Sequence, residues 1–420
     1  MLTDTIAGFW ARVERSLFPQ IEAAVSDPVT DSLRDLIVVL EFLRVEEVLR
    51  QFEQHGRVGA PPADRAPLLR AFIAKAVLKL ETTKALYDRL RVDGALRRIC
   101  GWENAPLPPR TARYVKTRAG QPVQATRQGK RGHAKRRVPS EATFSRAFAI
   151  FADAGVLDLV HIERAQEYLG DDVWEHGSHD STAIHARERS APKPKPPTSE
   201  EPSPPKRRGR PKKGEERPAP EPKRLQQQRA EPDLKKILDE LPTACDKGGK
   251  KNSKGDTDWW VGYKLHLLTV DGDIPVAALT TSASMHDSGA AIPLMRLAAK
   301  RGLRVLYDLF DAAYDAEEIR AEAAALDQVP IIAANVRSAA VKAENERLAK
   351  LPFSRLDVEQ ELVDTDRRRR FKARSGVERV NSRLKEDPGV RLVRIRGHPK
   401  VHALLMCSVL VIFARAVLCL

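Results

Sequence analysis

The sequence predicts an α/β protein: a mixed sheet with flanking helices, preceded by an all-helical N-terminal domain and interrupted by disordered basic linkers. Three observations carry that expectation. From Trp259 onward, β-branched and aromatic runs alternate with helical patterns. Residues 68–80 repeat their apolar positions with a period of about 3.6. Two long stretches are too rich in Lys, Arg and Pro to build a core. At 420 residues the chain has room for two or three domains.

The net charge of +15 and pI near 9.7 favour a polyanionic partner, with nucleic acid ahead of a membrane surface because no basic amphipathic anchor stands out. Cys100, Cys245, Cys407 and Cys419 are scattered, which argues against a disulfide scaffold or a zinc ribbon. No signal-peptide pattern opens the chain. The apolar run 401–420 carries Arg415 deep inside it, so it reads as a buried terminal helix and not a membrane span.

Residues 1–165 read as a helical domain. Leu68, Leu69, Phe72, Ile73, Ala76, Val77 and Leu80 share one helix face. Thr82 or Thr83 caps a second helix carrying Leu86 and Leu90, and Ser140 caps a further one with Glu141 in its first turn. Such a module suits DNA-end binding or dimerisation, and both readings stay open. Within it, residues 104–140 contain no Asp or Glu but ten Lys or Arg, a solvated loop that would touch phosphate without reading sequence.

Residues 170–420 form the second domain, with a disordered Pro/Lys/Arg-rich insertion at about 188–232. Inside the insertion, Arg208-Gly209-Arg210-Pro211 resembles an AT-hook, in which Arg208 and Arg210 would enter a narrow minor groove; a generic basic linker reads the same way. The folded part begins with a strand over 173–184. A hairpin follows, turning at Asp271-Gly272. Then come a helix ending at Gly302, a strand (LRVLYDLF), a helix (DAEEIRAEAAALD) and a strand (VPIIAANV). That order is the order of an RNase H-like fold.

Three carboxylates stand out. Asp180 lies late in or just after the first strand, and Asp311 ends the fourth, where sheet folds collect ligands. Asp308, three positions earlier, should project from the opposite strand face, and Asp315 should cap the next helix. Glu378 lies in FKARSGVERVNSRLK, where Val377, Val380 and Leu384 make an apolar stripe. Arg374, Glu378, Asn381 and Lys385 share a second stripe. Alone, that stripe is a solvated charged face with an Arg374–Glu378 pair, and an Asp at a strand end is an ordinary turn residue. Converging, the three could bind two divalent cations about 3.5–4 Å apart, each stabilising one oxygen of an in-line phosphodiester displacement.

The spacing F-x2-R-x3-E-x6-K from Phe371 to Lys385 resembles the Tyr-Arg-Glu-Lys signature of bacterial insertion-sequence DDE transposases, with Phe371 in place of Tyr. Asp311-Ala-Ala-Tyr314-Asp315 resembles the motif around that family's second acidic residue, with Ala313 in place of Gly, and Gly262-Tyr263-Lys264 resembles its second-strand motif. LRRICGW and PSEATFSR resemble its N-terminal region more loosely. The resemblance implies a metal-dependent enzyme that nicks transposon ends and transfers the freed strand into target DNA. Asp180, Asp311 and Glu378 would hold two Mg2+ or Mn2+ ions, and Arg374, Lys385 and Lys264 would contact DNA. It further implies double-stranded DNA partners (terminal inverted repeats and target), a homodimer on that DNA, no membrane, and a cytoplasmic, nucleoid-associated location. An RNase H-like nuclease that cuts without joining and a silent DNA-binding relic are the rival readings.

The pairs His176/His179 and His398/His402 lack partners at zinc-site spacing and read as structural or DNA-facing. Trp259 and Trp260 suit core packing or stacking on an extruded base.

Overall fold

The computed structural model describes residues 29–51, 65–103, 114–116, 122–124, 137–170, 172–192, 222–251, 256–333 and 365–419. Arg208 and Arg210 lie outside the described residues. The chain divides into two compact units: Met1–Tyr168 with Ser382–Arg394 and Pro399–Leu420, and Leu169–Asn381 with Ile395–His398. The last helix thus groups with the N-terminal helices, although the sequence reading placed it in the second domain.

The first unit contains helices α1 (Asp31–Leu43), α2 (Val45–Arg50), α3 (Arg65–Val77), α4 (Thr83–Val92), α5 (Gly94–Cys100), α6 (Glu141–Asp153) and α7 (Val156–Leu169). Thr82 caps α4, its hydroxyl accepting from the Ala85 N–H at 3.0 Å, and Asp93 does the same for α5 through Leu96 at 2.9 Å. Ser140 stands at the cap of α6, but its hydroxyl pairs with Thr143 Oγ1 and caps no backbone N–H. Phe72 on α3 meets Phe144, Phe148 and Phe151 of α6 with ring centroids 4.6–6.5 Å apart, which joins two local helices into a core. The stretch expected as a loop includes a short antiparallel ribbon, β1 (Tyr114–Lys116) with β2 (Pro122–Gln124).

In the second unit, β3 (Val173–Ala186) is the central strand of the sheet. After it come α8 (Arg224–Ala230), α9 (Leu234–Asp239), β4 (Asp246–Lys251), β5 (Thr257–Val270), β6 (Ile274–Ser282), α10 (Ala291–Lys300), β7 (Arg304–Phe310), α11 (Glu317–Ala325) and β8 (Val329–Ile332). The sheet runs β4-β5-β3-β7-β8, with β6 also pairing to β5. The β5–β3 and β5–β6 pairings are antiparallel, while β7 is parallel to β3 and β8 to β7, the arrangement of an RNase H-like sheet. The hairpin turn falls at Asp271–Asp273, as the Asp-Gly signal predicts, with Gly272 at φ 78°. Gly262 takes φ 153° where β5 pairs with β3 opposite His185; a Cβ there would sit 2.1 Å from the Ile184 carbonyl oxygen.

Two expectations fail here. Residues 222–232 of the insertion carry α8, whose Gln228 donates from its buried amide to the Gly289 carbonyl at 2.9 Å. Asp315 does not cap α11: Ala316 holds that position, and Asp315 instead pairs with Arg320 at 2.6 Å. Strand β4, DKGGKK, is unread in the sequence because a polar, glycine-rich run extends only when β5 offers a pairing edge.

The chain closes with α12 (Ser375–Glu386), α13 (Pro388–Arg391) and α14 (His398–Leu418). By length and composition α14 could cross a membrane, yet most of it is buried. Within the first unit Phe413 packs on Phe42, Arg415 pairs with Asp35, and His402 lies 2.9 Å from Asp158. These partners account for the polar groups at both ends of its apolar run.

Candidate active site

Strand β3 points Asp180 out of the middle of the sheet, opposite Leu267 on β5. Parallel pairing of β7 with β3 brings Asp311 to the same region, immediately past the strand end. Its Oδ1 accepts from the Ala313 N–H at 2.8 Å, which fixes the carboxylate over a short 3-10 turn, Ala312–Tyr314. Glu378 comes from the first turn of α12. The apolar stripe of that helix, Val377, Val380 and Leu384, is buried, and this turns the charged stripe outward as its spacing predicts.

The three carboxylates meet at one guanidinium. Arg374 lies 2.6 Å from Glu378 Oε1, 3.4 Å from Asp180 Oδ1 and 3.8 Å from Asp311 Oδ2. From the same helix, Asn381 donates through Nδ2 to Asp180 Oδ2 at 2.9 Å. Asp180 is thereby held at both oxygens. Burial raises its pKa above the usual carboxylate range; Arg374, Lys250 and the Ser181 N–H pull the other way, and Asp311 adds to the rise.

Among the described residues no group of three or more His, Cys, Asp or Glu is arranged, as it stands, to hold a metal ion. Arg374 stands between the acids and offsets part of their charge. The donor set nonetheless fits a hard divalent ion: all its charged groups are carboxylate oxygens, and two neutral oxygens near them, Asn381 Oδ1 and Tyr314 Oη, are buried with no hydrogen-bond partner among the described residues. Tyr314 lies within electrostatic reach of Asp287, Asp180 and Asp311, and burial first, then those charges, keeps its phenol protonated.

The neighbouring candidates sort cleanly. Asp308 is fully buried with its Oδ1 3.3 Å from His179 Nε2. His176 bonds Asp271 at 2.9 Å, and His398 bonds the Thr280 carbonyl at 2.7 Å. Lys264, expected at DNA, turns its ammonium inward to Asp287 at 2.7 Å and the Met285 carbonyl at 2.8 Å. Burial alone would raise the Asp287 pKa, but Lys264 outweighs it and holds that carboxyl below the usual range. Lys385 is exposed on α12, two turns beyond Glu378. Trp260 is buried, whereas Trp259 is 62% exposed with Lys247 Nζ 4.6 Å from its ring centroid. Sequence reasoning placed Asn381 on the charged stripe but gave it no role, and it missed Asp287; the spacing of three from Glu378 to Asn381 was the available signal.

Residues 175–414 match the family model of the transposase DDE domain, and residues 21–116 match that of a transposase domain (DUF772). No curated protein and no solved structure matches the chain. The first match spans more than half of the sequence, and the chain therefore belongs to the insertion-sequence DDE transposases, nucleic-acid-cleaving enzymes that generally use divalent metal ions.

Proposed function

We propose that this transposase nicks the ends of its own element to free a 3′-hydroxyl and joins that hydroxyl to target DNA in the same site. The observation that carries this reading is the convergence of Asp180, Asp311 and Glu378, nearly 200 positions apart along the chain, on the single guanidinium of Arg374. When bound, two Mg2+ or Mn2+ ions would act as Lewis acids on the scissile phosphate and acidify the attacking water. Asp180, Asp311 and Glu378 would hold them. Arg374, relieved of the carboxylates, donates to a phosphate oxygen of the DNA, a bidentate task its planar fork suits. Lys385 contributes a second phosphate contact from α12, the helix that follows the 3-10 turn holding Arg374. Asp311, fixed by the Ala313 N–H, stays in place while the DNA enters. Two subunits would act together, one for each element end.

The test is incubation of the full chain with Mg2+ and a linear fragment carrying its element's ends. Joined products support the reading. Nicks without joining would make it a nuclease, and a mobility shift without cleavage would leave only a DNA binder.

A further inference from the structure

Asn381 is the one neutral side chain whose hydrogen bond reaches a candidate metal ligand from the catalytic helix. It lies one turn beyond Glu378 on α12, which follows the 3-10 turn Lys372–Arg374. It is 6% exposed, and Asn rarely occupies so enclosed a position without a polar task. Its Nδ2 is engaged with Asp180 Oδ2, but among the described residues its buried Oδ1 has no hydrogen-bond partner. A buried amide carbonyl without a protein donor is costly, a cost tolerated where a ligand supplies the donor.

Two further buried groups of the site are in the same condition: Arg374 Nε and Tyr314 Oη. None of the three satisfies another, although each belongs to a residue in contact with, or in electrostatic reach of, Asp180. One arrangement relieves the amide oxygen. A hydrated divalent cation brings several water molecules with it, each an O–H donor, and Mg2+ in particular gives up its waters reluctantly. An amide oxygen facing such an ion needs no charge and need not be a ligand itself.

We infer that Asn381 is a positioning residue of the metal site, acting through both ends of its amide. The N–H end holds Asp180 by Oδ2 and leaves Oδ1, the oxygen that now faces Arg374, to face the cation. The carbonyl end accepts from the cation's hydration shell. This rests on the metal-dependent reading of the three carboxylates, and it adds a residue that carries no charge and would escape a search for acidic ligands.

The experiment is a Mn2+ titration of the full chain without DNA, following free Mn2+ by electron paramagnetic resonance, together with the thermal midpoint in EDTA. Wild type should bind Mn2+ and Asp180→Asn should not. Asn381→Leu, similar in volume but without the amide, should weaken Mn2+ about tenfold or more, the scale of outer-shell substitutions at metal sites. Asn381→Ser, whose hydroxyl is too short to span both contacts, should weaken it comparably and stands in if the Leu variant does not fold. A folded variant of either kind that binds Mn2+ as wild type does, with only its midpoint altered, would reduce Asn381 to a packing residue and overturn the inference alone. Equal binding by wild type and Asp180→Asn would instead remove the metal site, and the inference with it.

Discussion

Replacing Arg374 with Gln removes the cation around which three acids are gathered, and the structure sets the size of the effect. Two unit charges about 4 Å apart interact by about 4 kcal/mol at an effective dielectric of about 20. That figure does not apply to all three pairs. The Glu378 side chain is 57% exposed and Asp311 37%, so solvent screens both. Asp180 is 16% exposed, and its pairing with Arg374 dominates. The net loss in metal-free protein is about 1–3 kcal/mol, well under the sum of the pairs, because exposed ion pairs contribute little. For a unit of this size it would lower the thermal midpoint by roughly 3–9 °C. Losing Arg374 also pushes the Asp180 carboxyl further up, since its largest offset to burial is gone. The decisive observation is the response to metal. A divalent cation replaces the missing charge, so millimolar Mg2+ should raise the midpoint of Arg374→Gln more than that of wild type and close most of the gap. Scanning calorimetry in EDTA and in Mg2+ reads both values. An undiminished gap, or no loss in EDTA, would refute the idea that Arg374 stands where a metal belongs.

Asp311→Asn should abolish cleavage yet leave the thermal midpoint and DNA mobility shift near wild type, whereas Asp308→Ala, which strips the buried partner of His179, should cost about 2–4 kcal/mol in urea unfolding. Surviving cleavage in Asp311→Asn would show that the second acid has been misassigned. Burial keeps His266 neutral and lowers its pKa from 6.5 to about 4, with Asp287 opposing and Lys264 assisting the shift. The unfolded chain then takes up the proton first, so stability is full above pH 6.5 and falls towards pH 4 by about 3 kcal/mol. His266→Gln should flatten that slope while keeping a partner for Thr281, and an unchanged slope would exclude His266 as its source. Gly262→Ala should lower the urea midpoint sharply, by about 3 kcal/mol or more, because its Cβ would meet the Ile184 carbonyl between β5 and β3. A near-wild-type midpoint would mean that the β5 bend is free to relax.

Much of the second unit was legible residue by residue. The Asp271-Gly272 turn, the strands on either side of it, the 3.6-period helices and the apolar stripe of α12 are short-range patterns, and each appeared where its spacing placed it. The failures have different causes. Strand β4 has a weak local preference and extends by pairing with β5, whereas α8 (RLQQQRA) is built of good helix formers inside a Pro-rich stretch and is tied by Gln228 to the Gly289 carbonyl. Asp315 had the chemistry of a cap but found Arg320 instead.

The sequence by itself determined which residues carry charge on one face of α12, that Asp311 follows a strand, and that Asp180 lies late in or just after one, because hydrophobic periodicity and turn chemistry act over a few residues. Only the tertiary structure decided that β7 lies parallel beside β3, and that pairing is what carries Asp311 to Asp180. It also decided that Lys264 turns to Asp287 and that Arg374 and Asn381 take one Asp180 oxygen each. Such contacts join residues from about 20 to about 200 positions apart, and no local pattern encodes a distance that the sheet alone closes.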